Sequence, residues 1–358
     1  MGANMFDKCL FFPVHWFQTI KYRSSFGEYY YIRFPKYDKL MQKSLFLLVL
    51  TTLWLSCNQT PTHKAPTTEA PQAILTSLLG KPLYEPERSP SAQHRLDSNL
   101  QVARQNYEAN PKLEENIIWL GRRTAYLSHY QKAIDIYTQG LEVFPNSAKL
   151  YRHRGHRYIS LRKFDQAITD FEVAVKLIKD QEDEIEPDGI PNRLNQPLSS
   201  LHFNIWYHLG LAHYLAGDFA KAEEAFRVCM ELSSNPDLLC ATSDWLYMAL
   251  RRSGNKAEAE KLLAAITPDM NMIENEAYHK RLLMYKGEVS VEDLLEVGEA
   301  VADRDLALAT QGYGVGNWYL YHDEEAKAVG IFEQVVAGQQ WAAFGYIAAE
   351  VDLGRLQK

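Results

Sequence analysis

His153-Arg-Gly-His156 places two imidazoles one helical turn apart, and His202, His208 and His213 follow further along the chain. Residues three apart share a helix face, so such a pair could present two nitrogens to a divalent metal. A metal site needs three or four donors converging on one point. Here there is no His-Glu-x-x-His pattern, no acid at a matching offset and no cysteine nearby, so no metal ligand is assigned. Gly312-Tyr-Gly-Val-Gly316 has the look of a phosphate-cradling loop, but no strand pattern precedes it. Neither Gly-x-Ser-x-Gly nor Gly-Lys-Ser/Thr occurs, and Cys229 falls at a small packing position where a thiol is inert. No catalytic residue and no cofactor are expected, and a metal-dependent hydrolase is the remote alternative.

Binding chemistry is better represented. Between Gly121 and Phe164 there are nine Lys or Arg against two acids, Asp135 and Glu142, in a chain whose net charge is −7. The cluster is either a solvated helix face or a surface for an acidic ligand, and Arg beside Tyr is a composition that binding surfaces favour. The stretch 180–200 is its counterpart. It carries Asp180, Glu182, Asp183, Glu184, Glu186 and Asp188 in a stretch punctuated by Gly189 and by Pro187, Pro191 and Pro197. Those prolines stop a helix, so the segment is a loop, either a tolerated surface excursion or an acidic strap lying over the basic face and imitating a ligand. The overall negative charge argues against nucleic acid as a partner.

What positions these residues is a repeat. Trp119-Leu120-Gly121, Tyr126, Ala133-Ile134, Tyr137, Gly140-Leu141 and Pro145 recur 34 residues later at Gly155, Ala167-Ile168, Phe171 and Ala174-Val175. A third copy begins at Trp206-Tyr-His-Leu-Gly210 and continues through Gly217-Asp218-Phe219, Ala222, Phe226 and Cys229. Gly210 lies 55 residues after Gly155, which is 34 plus 21, so about 21 residues are inserted between copies two and three. Weaker copies follow at Trp245-Leu246 with Ala259, Tyr278 with Tyr285, and Gly316 with Ala328 and Phe332. Leu96 to Ala109 reads as half a repeat, and Trp341 to Leu356 as a closing helix. With 46% hydrophobic residues the chain has material for a long stacked core, and its four cysteines contain no C-x-x-C pair to staple it.

This pattern resembles the tetratricopeptide repeat (TPR) family, over about residues 94 to 356 and most specifically over 114–234. The resemblance implies an all-α fold, a TPR-type α-solenoid in which antiparallel helix pairs form a right-handed superhelix. It also implies a concave groove, lined by the first helix of each pair, that holds a protein or peptide. Aligned by their glycines, the groove positions are Arg122, Tyr126, Lys149, Arg152, His156 and Ser160, then Asn204, Tyr207, Tyr214, Asp244, Arg251 and Arg252. The candidate partner-binding residues are Arg122, Tyr126, Lys149, Arg152, His156, Asn204, Tyr207, Tyr214 and Arg251. The family's two-carboxylate clamp is not matched, because Ile118 and Arg122 stand where Lys and Asn belong.

Upstream, Met41-Gln-Lys43 leads into an apolar run from Ser44 to Ser56 that ends at Cys57. A cationic start and an apolar stretch too short to span a bilayer read as a signal peptide over 41–56. Leu55-Ser56-Cys57 resembles the lipobox of bacterial lipoproteins, which implies that Cys57 becomes the lipidated first residue. Residues 1–40 then form an upstream extension with Met41 as the initiator, and 57–92, rich in Thr and Pro at first, a flexible linker to a repeat domain at 93–358. The expected protein is a non-catalytic adaptor tethered at the bacterial cell envelope, periplasmic or outer-membrane associated, binding a possibly acidic peptide or domain. The alternative is an accessory subunit of a separately encoded envelope enzyme.

Overall fold

The computed structural model describes residues 17–23, 29–35, 72–296 and 304–357. The chain divides into two compact units, Met1–Glu69 and Ala70–Lys358. In the first, strands β1 (Phe17–Arg23) and β2 (Tyr29–Pro35) pair antiparallel with Ile20 opposite Ile32. Both segments hold the aromatic and β-branched residues that favour strands. The signal segment 41–56, Cys57 and residues 58–71 lie outside the described residues. No described helix is long and apolar enough to cross a membrane.

The second unit opens with a short antiparallel pair, β3 (Leu75–Thr76) and β4 (Pro82–Leu83), before α1 (Pro90–Ala109). This stretch was expected to be tether. Instead Leu83 is buried in the main core and the Leu78 amide donates to Glu350. Helix pairs follow: α2 (Glu114–Tyr126) with α3 (Tyr130–Val143), α4 (Ala148–Ser160) with α5 (Phe164–Ile178), and α6 (Leu201–Ala216) with α7 (Phe219–Glu231). They continue as α8 (Pro236–Arg252) with α9 (Lys256–Leu262), α10 (Glu276–Tyr285) with α11 (Val291–Leu295), α12 (Arg304–Leu320) with α13 (Glu325–Ala337), and a last helix, α14 (Phe344–Leu356). The described part of this unit is an all-α solenoid of helix pairs, as the repeat spacing requires, with the 179–200 insertion between α5 and α6.

Local chemistry sets the boundaries. Ser147, Ser200, Asp218 and Asn235 each accept the amide hydrogen three residues on, capping α4, α6, α7 and α8, and Pro236 occupies the first turn of α8. Each turn inside a pair passes through the left-handed region: Ser128, Arg162, Gly217, Gly254, Gly287 and Asp323 all have φ between 61° and 93°. The pairs interlock through one contact. A Cβ on Gly121, Gly155, Gly210 or Gly316 would lie 2.2 to 2.9 Å from the aromatic ring sixteen residues later, at Tyr137, Phe171, Phe226 or Phe332. Each ring therefore needs a glycine facing it, and burying such a ring contributes about 2–3 kcal/mol.

The array does not leave its concave side open. In α14 every residue from Gly345 to Leu353 is buried, and the Phe344 ring packs on His156 of α4 and His208 of α6. The sequence reading makes this helix the close of the stack; it packs on α12 and α13 accordingly, and the two termini of the unit also meet around it. The Trp341 indole donates to the Tyr84 carbonyl and the Glu87 amide to Gln339.

Candidate partner-binding site

The inserted loop folds back on the first two repeats. Its neck is a short antiparallel crossing, where Ile185 bridges Ser200, Glu186 N–H donates to the Ser199 carbonyl and Leu201 N–H to the Glu184 carbonyl. This crossing turns Glu186 inward, and the carboxylate is buried against α4 and α6. Arg152 Nε lies 3.2 Å from it, His153 Nε2 3.4 Å, and Asn204 Nδ2 donates to it at 2.9 Å. Lys149 pairs with Glu184 at 2.9 Å nearer solvent.

From α2, Arg122 donates to the Pro187 carbonyl and Arg123 to the Gly189 carbonyl, both guanidiniums lying over the Trp119 ring. Gly189 is required here, because a Cβ would fall 1.5 Å from the Tyr126 hydroxyl. Between the loop and residues 272–274 a cleft of about 390 Å³ remains, lined by Arg122, Arg152, Asp188, Arg193, Asn204 and Glu274 among others. Arg193 and Asn192 tie the loop to the far side of the cleft through the Met272 carbonyl and Glu274.

The electrostatics follow from burial. Burial lowers the Arg152 guanidinium from its ordinary value, with Glu186 opposing the shift. His153 is held well below its usual value by burial and then by Arg152, so it is neutral at pH 7. Burial raises Asp188, helped by the nearby Glu274 carboxylate. The loop acids therefore sit on a cationic face as a peptide ligand would.

Of the nine candidate residues, the structure gathers five around this loop: Arg122, Tyr126, Lys149, Arg152 and Asn204. The other four are elsewhere and are taken up internally. His156 stacks on His208 and Phe344, and Tyr207 is buried against Phe203 and Phe226. The Tyr214 hydroxyl bonds to that of Tyr313 at 2.7 Å and accepts from Asn317, while Arg251 lies 4.3 Å over the Tyr321 ring. α14 covers His156 and α12 covers Tyr214, while Tyr207 is buried among its own repeat's aromatic rings. Sequence reasoning missed Glu186, Arg123, His153 and Gly189. Only the run of six acids pointed toward the first of these.

His208 Nδ1 is engaged by the Asn204 carbonyl, and among the described residues no three His, Cys, Asp or Glu are disposed around one point to hold a metal. Cys229 and Cys240 are unpaired and buried, and burial pushes both thiols up to about 12.

Residues 203–236, spanning most of α6 and all of α7, match the tetratricopeptide repeat family. That segment is similar to a single tetratricopeptide repeat. In Saccharomyces cerevisiae, heat shock protein STI1 is 28% identical over 148 residues, covering 41% of this chain and 21% of that protein. Small glutamine-rich tetratricopeptide repeat-containing protein 2 is 24% identical over 155 residues, 43% of this chain and 39% of that one. The matches thus span well under half of either yeast relative. Among solved structures, a tetratricopeptide repeat protein from Parabacteroides merdae has 15% identity and a TM-score of 0.44, covering 72% of this chain and 94% of that one. YrrB, a TPR protein with an unusual peptide-binding site, has 16% identity and a TM-score of 0.38, covering 68% and 96%.

Proposed function

We propose that this TPR array is a non-catalytic adaptor whose α2–α4–α6 face binds an acidic peptide or protein segment, with the 180–200 insertion competing for that face. The observation that carries the reading is Glu186, a loop carboxylate buried among Arg152, His153 and Asn204, with Glu184 on Lys149 beside it. An external acidic segment meets the same donors once the loop moves aside. Electrostatics at such a half-open face steers and orients more than it adds affinity, and it fades with salt over about 8 Å at physiological ionic strength. The test is the anisotropy of a labelled peptide copying residues 180–190, titrated with the full chain and with Arg122→Ala/Lys149→Ala. Binding that weakens with salt and at least 10-fold in the double variant supports the reading; equal binding by both chains refutes it.

The run from Met41 to Cys57 supports a second element of the proposal, tethering at the bacterial envelope through a lipidated Cys57. Mass spectrometry of the membrane-bound protein should then find 302 residues (358 − 57 + 1) plus lipid. Intact peptides from residues 1–40 in that fraction would refute it.

A further inference from the structure

Unpaired charges of both signs line the cleft of about 390 Å³ between the insertion and the turn at 272–274. From α2, Arg122 donates to the Pro187 carbonyl and, among the described residues, pairs with no carboxylate. Beside it Arg152 is only 8% exposed, and its Nε faces Glu186 at 3.2 Å without making a hydrogen bond. Two carboxylates line the cleft as well. Asp188 buries its Oδ2 with no hydrogen-bond partner, and Glu274 accepts from the Asn192 side-chain amide. Neither acid forms an ion pair among the described residues.

Both walls hold these charges in place. The turn is pinned from behind, where the amides of Ile273, Glu274 and Asn275 donate to the buried Asp237 at 2.7 to 3.1 Å. The insertion is tied across the cleft by Arg193 on the Met272 carbonyl and by Asn192 on Glu274. A charge taken out of water without a counter-charge is costly. Burial and Glu274 accordingly push Asp188 up from its ordinary range, the direction that a missing cation produces. A molecule bringing a carboxylate to the guanidiniums and an ammonium to the acids relieves both at once, through charge-assisted hydrogen bonds. Walls already in position spare it the cost of ordering them. Ile190, 71% exposed, and Ile273 flank the charges and offer an apolar edge to a short aliphatic group. A divalent metal fits less well, because among the described residues no three His, Cys, Asp or Glu surround one point.

We infer that this cleft is a binding site for a free α-amino acid with an aliphatic side chain. The carboxylate meets Arg122 and Arg152, the ammonium meets Asp188 and Glu274, and the side chain lies against Ile190 and Ile273. The volume is that of a small-molecule cleft, which starts at about 300 Å³. The ligand binds with the insertion in place, so the site stands whether or not an acidic segment displaces that loop. Glu274 belongs to neither the insertion nor the basic face, and its substitution separates the two readings.

The test is isothermal titration calorimetry of the full chain with L-leucine, and with isocaproate and isoamylamine, which are leucine without its ammonium and without its carboxylate. L-leucine should bind with a Kd below about 1 mM, and each single-charge analogue at least 10-fold more weakly. Glu274→Gln and Asp188→Asn, each shown by circular dichroism to stay helical, should weaken L-leucine at least 10-fold and leave isocaproate no weaker. Bound L-leucine should slow hydrogen exchange at the amides of 188–193 and 273–275. If L-leucine does not bind at this strength, if an analogue binds as well as L-leucine, if both folded variants keep full affinity, or if protection falls elsewhere, the inference is overturned.

Discussion

At Gly155 a methyl group would sit 2.9 Å from the Phe171 ring, closer than any ordinary carbon contact. Gly155→Leu forces α4 and α5 apart, and overpacking of this kind costs roughly 1–3 kcal/mol. Calorimetry should show the melting temperature fall by several degrees, and Gly210→Leu, facing Phe226, should act alike. These glycines were legible because the same residue recurs at a fixed period opposite an aromatic. The fate of the cationic side chains was not. Arg152 and Arg162 look alike in sequence, but one meets the insertion and the other α14, and only the tertiary path decides which. Burial and neighbouring arginines hold His153 and His208 well below the usual histidine range. Both are neutral when folded, whereas the unfolded chain takes up protons below about pH 6.5. Their contribution is therefore present above that pH and lost as pH falls toward the folded values, by up to about 1.4 kcal/mol per histidine per pH unit. Denaturant midpoints measured from pH 7 to 5 should drop, and His208→Asn should flatten the slope by close to one proton.

At the scale of elements, the six left-handed turns between paired helices separate backbone cost from side-chain gain. Asp323 is exposed, with φ 62°, so Asp323→Gly relieves strain and should stabilise by about 0.5 kcal/mol. Arg162→Gly relieves similar strain but leaves the fully buried Glu350 without its cation, and removing one partner of a buried pair costs about 3–5 kcal/mol. Opposite signs at equivalent turns, read from urea midpoints, check that Arg162 is retained for its ion pair. The insertion was legible as a loop from its prolines and as acidic from its composition. That it lies over the basic face was one of its two sequence readings, but not that Glu186 is the acid turned inward onto Arg152, since that turn depends on the Ile185–Ser200 crossing and nothing in the local sequence announces that pairing.

Over the whole repeat unit, the 34-residue period predicted stacked helix pairs, and the structure has them. It did not predict that the concave side is filled or that residues 74–92, expected as linker, pack against the far end. Period describes how neighbours stack, whereas closure depends on contacts between residues hundreds of positions apart, such as Leu78 with Glu350 and Tyr84 with Trp341. An open solenoid can fray from its ends, each repeat contributing its own share of stability. The closed unit should instead unfold as one transition, with fluorescence and far-ultraviolet circular dichroism giving the same urea midpoint. The sequence-derived groove then reduces to the insertion-covered face, and the most direct test of that face is competition by the insertion itself. The labelled 180–190 peptide is titrated into the native chain and into a chain lacking residues 183–188, with circular dichroism confirming helicity in both. Removal of the built-in acids should tighten peptide binding at least 10-fold. Equal affinity for the two folded chains would contradict an insertion that competes for a ligand-binding face.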